Sequence, residues 1–206
     1  MAVVKLSTSG LVNFAKYSSM RAGIPLPSLG SYDLLATEIL TSSQASVTFS
    51  SLGDYAADYQ HLQIRMTARS TRSSTDSYLH IRFNGDTADN YSYHFLTGTG
   101  SSVISGSTNA AYDDGILDIN FLTAATATSD SFGASVVDIL DPFETTKYIT
   151  TRTLSGQASS NFQQLGLSSG SWRNTASLTS ITLDDALGAS FAADSRFSLY
   201  GLKASA

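Results

Sequence analysis

Three runs of alternating polar and apolar residues between positions 59 and 96 constrain the fold of this chain more than any other feature. In HLQIRMTAR (61–69), YLHIRF (78–83) and YSYHFL (91–96), every second side chain is apolar or aromatic. Successive side chains of a β-strand point to opposite faces of the sheet, so this period predicts strands with one face in a core.

The rest of the chain has the same character, and almost no stretch has helical periodicity. Further predicted strands cover residues 32–40, 45–49, 103–104 (at a sheet edge), 116–122, 134–140, 147–155, 162–167, 178–183 and 196–202. Short strands without intervening helices are typical of antiparallel sandwiches, and the long irregular loops favour a jelly roll. We therefore predict an all-β domain over residues 32–206, an antiparallel β-sandwich of jelly-roll type.

Residues 1–31 differ from this domain. The Pro- and Gly-rich stretch 23–30 would stop either a strand or a helix, so we predict an extended N-terminal arm and linker. The arm binds a neighbouring protein or lies along its own domain, and the sequence leaves both open. Its candidate partner-binding side chains are apolar, namely Val3, Val4, Leu6, Leu11, Phe14, Tyr17 and Met20. We expect no signal peptide and no membrane span, because no apolar run is suitable for either.

Charge and cysteine content exclude several classes of function. The chain has 12 Lys and Arg against 17 Asp and Glu, a net charge of −5, which argues against nucleic acid as a partner. It has no cysteine, which excludes disulfides, thiolate zinc sites and a cysteine nucleophile. We expect neither a cofactor nor a metal.

The candidate ligand-binding face follows from the three central strands. If these strands are neighbours in one sheet, their polar sides form a single surface that carries all three histidines of the chain. This surface would be a subunit contact or solvated face, a ligand site such as one for glycan, or a three-histidine metal site. Its residues are His61, Arg65, His80, Arg82 and His94.

Four other motifs suggest chemistry, and each has a simpler structural explanation. Residues 166–170 match G-x-S-x-G, but no histidine follows them in the chain. The carboxylates of Asp113-Asp114 and of Asp184-Asp185 do not converge within either pair, which predicts turn and strand-end roles. Asn84, Asp86, Asp89 and Asn90 suit Asx turns, with Ca²⁺ binding as the alternative. Trp172 is predicted to cover one side of the core, and the alternative is an exposed ring that stacks on a sugar. We expect that the protein has no enzymatic activity.

Seven short segments, spread over nearly the whole chain, carry a resemblance to a known family. They are KLSTSG (5–10), KYSSMRAG (16–23), YDLL (32–35), HLQIR (61–65), RFNGDT (82–87), NYSYH (90–94) and SRFSLYG (195–201). In this order they resemble bacteriophage virion structural proteins of aquatic phages, often called tail-fibre or structural proteins. The resemblance implies a component of the phage particle, made in the host cytoplasm, and no catalytic residue.

Two functions are consistent with these expectations. The first is a capsid decoration (cement) protein, a homotrimer that is anchored on the major capsid protein by its arm. The second is a tail-fibre or receptor-binding module that recognises a host surface glycan through the histidine and arginine face. The short chain, without a coiled coil or repetitive shaft, favours the first.

Overall fold

The structure, a computed structural model, describes residues 31–108, 113–159 and 162–203. These residues form twelve β-strands and one short 3-10 helix, η1 (Leu52–Tyr55), and contain no α-helix. The strands are β1 (Tyr32–Ile39), β2 (Ser46–Phe49), β3 (His61–Ala68), β4 (Asp76–Phe83), β5 (Tyr91–Gly98), β6 (Val103–Thr108), β7 (Ile116–Thr123), β8 (Gly133–Leu140), β9 (Ile149–Ser159), β10 (Phe162–Trp172), β11 (Ile181–Asp185) and β12 (Arg196–Leu202).

The strands form two antiparallel sheets that pack face to face. The larger sheet has the order β1-β12-β3-β8-β9-β10-β5-β6, and the smaller has the order β2-β11-β4-β7. The predicted all-β antiparallel sandwich is confirmed. The strand order, with eight strands in one sheet and four in the other, does not confirm a jelly roll, which divides eight strands between two sheets. The predicted edge strand is β6, which ends the larger sheet.

The core lies between the sheets and is built from the alternating runs. Apolar side chains of β3 and β4 lie on the inner faces of the two sheets, together with buried aromatic side chains. Burial of this apolar surface supplies about 25 cal/mol per Å² towards folding. The largest buried side chains are Trp172, Tyr91, Phe83, Phe191 and Phe197.

The three central strands are not neighbours, so the prediction of one continuous polar face is wrong. Strand β4 belongs to the smaller sheet, and β8, β9 and β10 separate β3 from β5. The connections 69–75 and 84–90 are longer than a tight hairpin turn and carry the chain from one sheet to the other. At the second crossing Asn84 and Gly85 have positive φ angles of 54° and 66°. The side-chain oxygen of Asn84 also accepts hydrogen bonds from the backbone N–H groups of Thr179 and Ser180.

Candidate functional site

The five residues of the predicted face lie in four separate places. His61 lies at one end of the larger sheet, where its Nδ1 accepts a hydrogen bond from the backbone N–H of Asp141. Arg65 and His94 lie on the outer face of the same sheet, on strands that are four positions apart. His80 and Arg82 lie on the smaller sheet. The structure therefore brings only His80 and Arg82 together.

His80 and Arg82 meet one carboxylate from each of the two acidic pairs. The His80 ring lies between Asp184, 3.3 Å from Nδ1, and Asp114, 3.4 Å from Nε2. Arg82 bridges the same two carboxylates, donating from Nη1 to Asp184 and from Nη2 to Asp114 at 2.7 Å. Neither pair converges internally, as predicted. The convergence between the pairs arises because β11 lies beside β4 and the loop before β7 folds over them.

The His80 ring of this cluster is buried, whereas the side chain of Asp114 is 45% exposed. Burial alone would raise the pKa of Asp114, but the hydrogen bond from Arg82 and the nearby His80 and Arg82 side chains hold that pKa below its ordinary value. Gly115 covers the ring so tightly that a Cβ built there would lie 2.2 Å from Nε2 of His80. Within the described part of the chain, no group of three or more His, Cys, Asp or Glu side chains is arranged so that it could hold a metal ion. The cluster is suited to clamping the loop 113–115 against the smaller sheet.

The outer face of the larger sheet carries an exposed row of leucines. Leu154 of β9, Leu167 of β10 and Leu96 of β5 lie directly opposite one another across the three strands. They are 51%, 51% and 47% exposed, respectively, and we call them the leucine row. Val136 of β8 extends the row by one strand. A contiguous apolar row on adjacent strands is a candidate for a surface that another molecule covers.

Leu165 stands beside the leucine row and forms the wall of a groove. Its cross-strand neighbours are Gly156 on β9 and Gly98 on β5, so no side chain flanks it and it is 63% exposed. The adjacent groove has a volume of about 450 Å³. Its walls include Leu154, Leu165 and Tyr200, and its floor includes small residues such as Ala134 and Gly156.

The inner face beneath the leucine row is polar. The side chains that β9 buries after Ile149 are Thr151, Thr153, Ser155, Gln157 and Ser159.

The most deeply buried charge of this polar interior is Asp118 of β7. It accepts hydrogen bonds from Ser155 at 2.9 Å and from Ser135 at 3.3 Å. Burial raises the pKa of Asp118 to about 6, against the opposing effect of the two serine hydroxyls. Strands β9 and β10 therefore bury polar side chains such as Ser155 and Ser168 and expose leucine on the outer face.

The reversal was not predicted, although the sequences of β9 and β10 contain a signal for it. In β9, Ile149 and Leu154 occupy opposite phases of the alternation, and in β10 Leu167 and Trp172 do so. A strand that carries large apolar residues in both phases must expose one set of them. The ends of the two strands, Ile149 and Trp172, belong to the buried phase.

The remaining motifs have structural roles. Trp172 is buried against Tyr91, with ring centroids 6.3 Å apart, as predicted for a core residue. Its Nε1 donates to Asp86, which also accepts from Asn90 and from the backbone N–H of Ala88. These Asx-type bonds occupy the carboxylate that a Ca²⁺ site would need. The serine of G-x-S-x-G, Ser168, faces inward in the middle of β10.

Two further expectations concern the arm and the membrane. The candidate arm residues from Val3 to Met20 lie outside the described residues. Within the described part of the chain, no helix has the length and apolar character needed to cross a membrane.

Comparison with known proteins gives no family for the chain. Neither a protein-family model nor a curated protein sequence matches it. Its resemblance to phage virion proteins therefore stays a prediction.

Proposed function

We propose that this protein is a structural component of a bacteriophage particle, namely a decoration (cement) protein that binds and stabilises the capsid shell. The observation that carries the proposal is the leucine row on the outer face of the larger sheet. Three half-exposed leucines on adjacent strands form a surface that another virion protein covers in the assembled particle.

The charge distribution of the sequence supports a second contact through residues 1–31. This segment contains Lys5, Lys16 and Arg21 and no acidic residue, whereas the whole chain has a net charge of −5. The arm is therefore basic and apolar, and it would bind an acidic surface of the shell or of a neighbouring subunit. Two linked contacts hold a protein on a lattice far more tightly than either contact alone. We propose a homotrimer, bound to the major capsid protein and located in the virion.

The test is to locate the protein on intact particles and then remove the arm. We expect immunogold labelling over the whole head, and loss of particle incorporation after deletion of residues 1–30. The deleted protein should retain the β-rich circular dichroism of the folded domain. Incorporation without the arm would contradict the proposed anchor, and particles without any gold would contradict the proposed function.

A tail-fibre module that binds host glycan is the second candidate, and one specific arrangement favours it. The guanidinium group of Arg65 lies 5.4 Å from the ring centre of Tyr32 and 5.1 Å from that of Tyr200, on the outer face. Exposed aromatic rings beside a cation are suited to stacking on a sugar ring. Gold at the tail tip, together with glycan-array binding that Tyr200→Ala abolishes, would favour this function over decoration.

A further inference from the structure

The groove beside Leu165 combines apolar walls with two arginines at one side. Arg65 of β3 lies opposite Ser198 of β12, and Arg196 is two residues before Ser198 on the same face. Such diagonal neighbours are about 7–8 Å apart between backbones. The guanidinium group of Arg65 lies beside the rings of Tyr32 and Tyr200, and both arginines line the same groove. Both arginine side chains are exposed.

Neither arginine is neutralised within the described residues. The ion pairs there involve other cations, and Arg65 instead donates from Nε to Gln63 at 2.8 Å. Asp138, on the neighbouring strand β8, is already bound by Gln63 and Arg152. An arginine pair without carboxylates, in a chain of net charge −5, is an attractive site for an anionic group.

The apolar lining of the groove indicates which class of ligand it binds. The walls formed by Leu154 and Leu165 and the floor formed by Ala134 and Gly156 suit an aliphatic side chain better than the hydroxyl groups of a sugar. A second copy of this face is also a poor fit. A two-fold contact centred on the groove would bring the arginines of both copies together.

We propose that this groove binds an extended peptide segment of a partner protein that carries a leucine-sized side chain next to a carboxylate. The apolar side chain fills the groove beside Leu165, and the carboxylate lies between Arg65 and Arg196. This inference rests on the proposed function, because it gives the chemistry of the virion protein that would cover the face. The groove can nevertheless be tested without particles.

The probe is a blocked peptide, acetyl-Thr-Leu-Asp-Leu-Thr-amide, titrated into the ¹⁵N-labelled full chain. We expect saturable shifts of the backbone amides of Ala134, Gly156 and Leu165. The Arg65→Gln/Arg196→Gln variant should bind the probe about tenfold or more weakly, because it loses charge-assisted hydrogen bonds. Arg152→Gln is the matched control, since Arg152 lies on the same face but is paired with Asp138, and it should bind the probe normally.

Three results would overturn the inference. These are no shift at the groove, equal binding of a peptide with Asn in place of Asp, and tighter binding of trigalacturonate than of the peptide. The last would assign the groove to acidic glycan. Failure of the proposed virion role would be detected separately, by the labelling of particles. If the peptide binds but no particle contains the protein, the groove assignment stands and the virion role fails.

Discussion

Leu154 on β9 and Leu167 on β10 lie directly opposite each other on the outer face of the larger sheet, and each is 51% exposed. One residue further along each strand, Ser155 and Ser168 face inward and are buried. The same two strands therefore offer leucine to the surroundings and serine to the interior. We expect this arrangement of strands whose outer face another molecule covers, as in the proposed function.

The first prediction concerns this pair of leucines. Leu154→Thr/Leu167→Thr should change the free energy of unfolding of the isolated domain by no more than about 0.5 kcal/mol per site, because threonine suits an exposed strand position. The same variant should lose particle incorporation, measured by immunoblotting of purified particles. Thr150→Ala/Ser169→Ala, at exposed outer-face positions of the same strands, is the control and should be incorporated normally. Normal incorporation of the leucine variant would show that the row is not the contact.

The second prediction concerns the buried carboxylate of Asp118. Its pKa is about 6 in the folded protein and 3.8 ordinarily, so between these values the folded protein holds a proton that the unfolded chain has released. The free energy of unfolding should therefore fall by about 3 kcal/mol, from this group alone, as the pH rises through that window. Asp118→Asn should remove this contribution and leave the protein at least as stable as wild type at pH 7.5.

Urea unfolding at several pH values measures this effect. The difference between wild type and variant isolates Asp118 from carboxylates such as Asp138 and Asp141, whose pKa values are lowered and whose contributions have the opposite sign. Asp54→Asn, at an exposed site in η1, is the control and should leave the slope unchanged. An Asp118→Asn variant with the wild-type slope would contradict the assignment.

The third prediction concerns Gly115, which covers the His80 ring. A Cβ at this position would lie 2.2 Å from Nε2 of His80, and the carboxylates of Asp114 and Asp184 lie 3.4 Å and 3.3 Å from the two ring nitrogens. Gly115→Ala should therefore lower the free energy of unfolding by about 1–3 kcal/mol. Gly53→Ala is the matched control, because nothing lies within 4 Å of its added Cβ. Equal stability of the two variants would mean that the loop 113–115 does not press on the ring.

The fourth prediction uses Trp172, the only tryptophan of the chain, as a probe of the core. Its ring is 1% exposed and packs against Phe83 and Tyr91. Acrylamide should therefore quench its fluorescence weakly in the folded protein and fully after unfolding. N-acetyltryptophanamide is the reference for full exposure. Strong quenching under native conditions would restore the alternative of an exposed ring that stacks on a sugar.

The sequence determined the elements of this fold because their signals are local. Alternation predicted β3, β4 and β5 close to their observed bounds, and the edge position of β6 was also correct. Asn84 and Gly85, at the crossing from β4 to β5, have positive φ angles, a conformation that these two residue types favour locally. Paired neighbours such as β8–β9 and β9–β10 are likewise close in sequence.

Only the tertiary structure decided which strands are neighbours and which face of each strand is buried. A period of two gives a strand two faces but does not say which one faces inward, so β9 and β10 could expose leucine while Asp118 and its serine partners occupy the interior. The connections 69–75 and 84–90 are long enough to cross between the sheets, which separated His61, His80 and His94. The same long-range pairing brought Asp114 and Asp184 to His80, because contacts between residues distant in sequence depend on the packing of the whole sandwich.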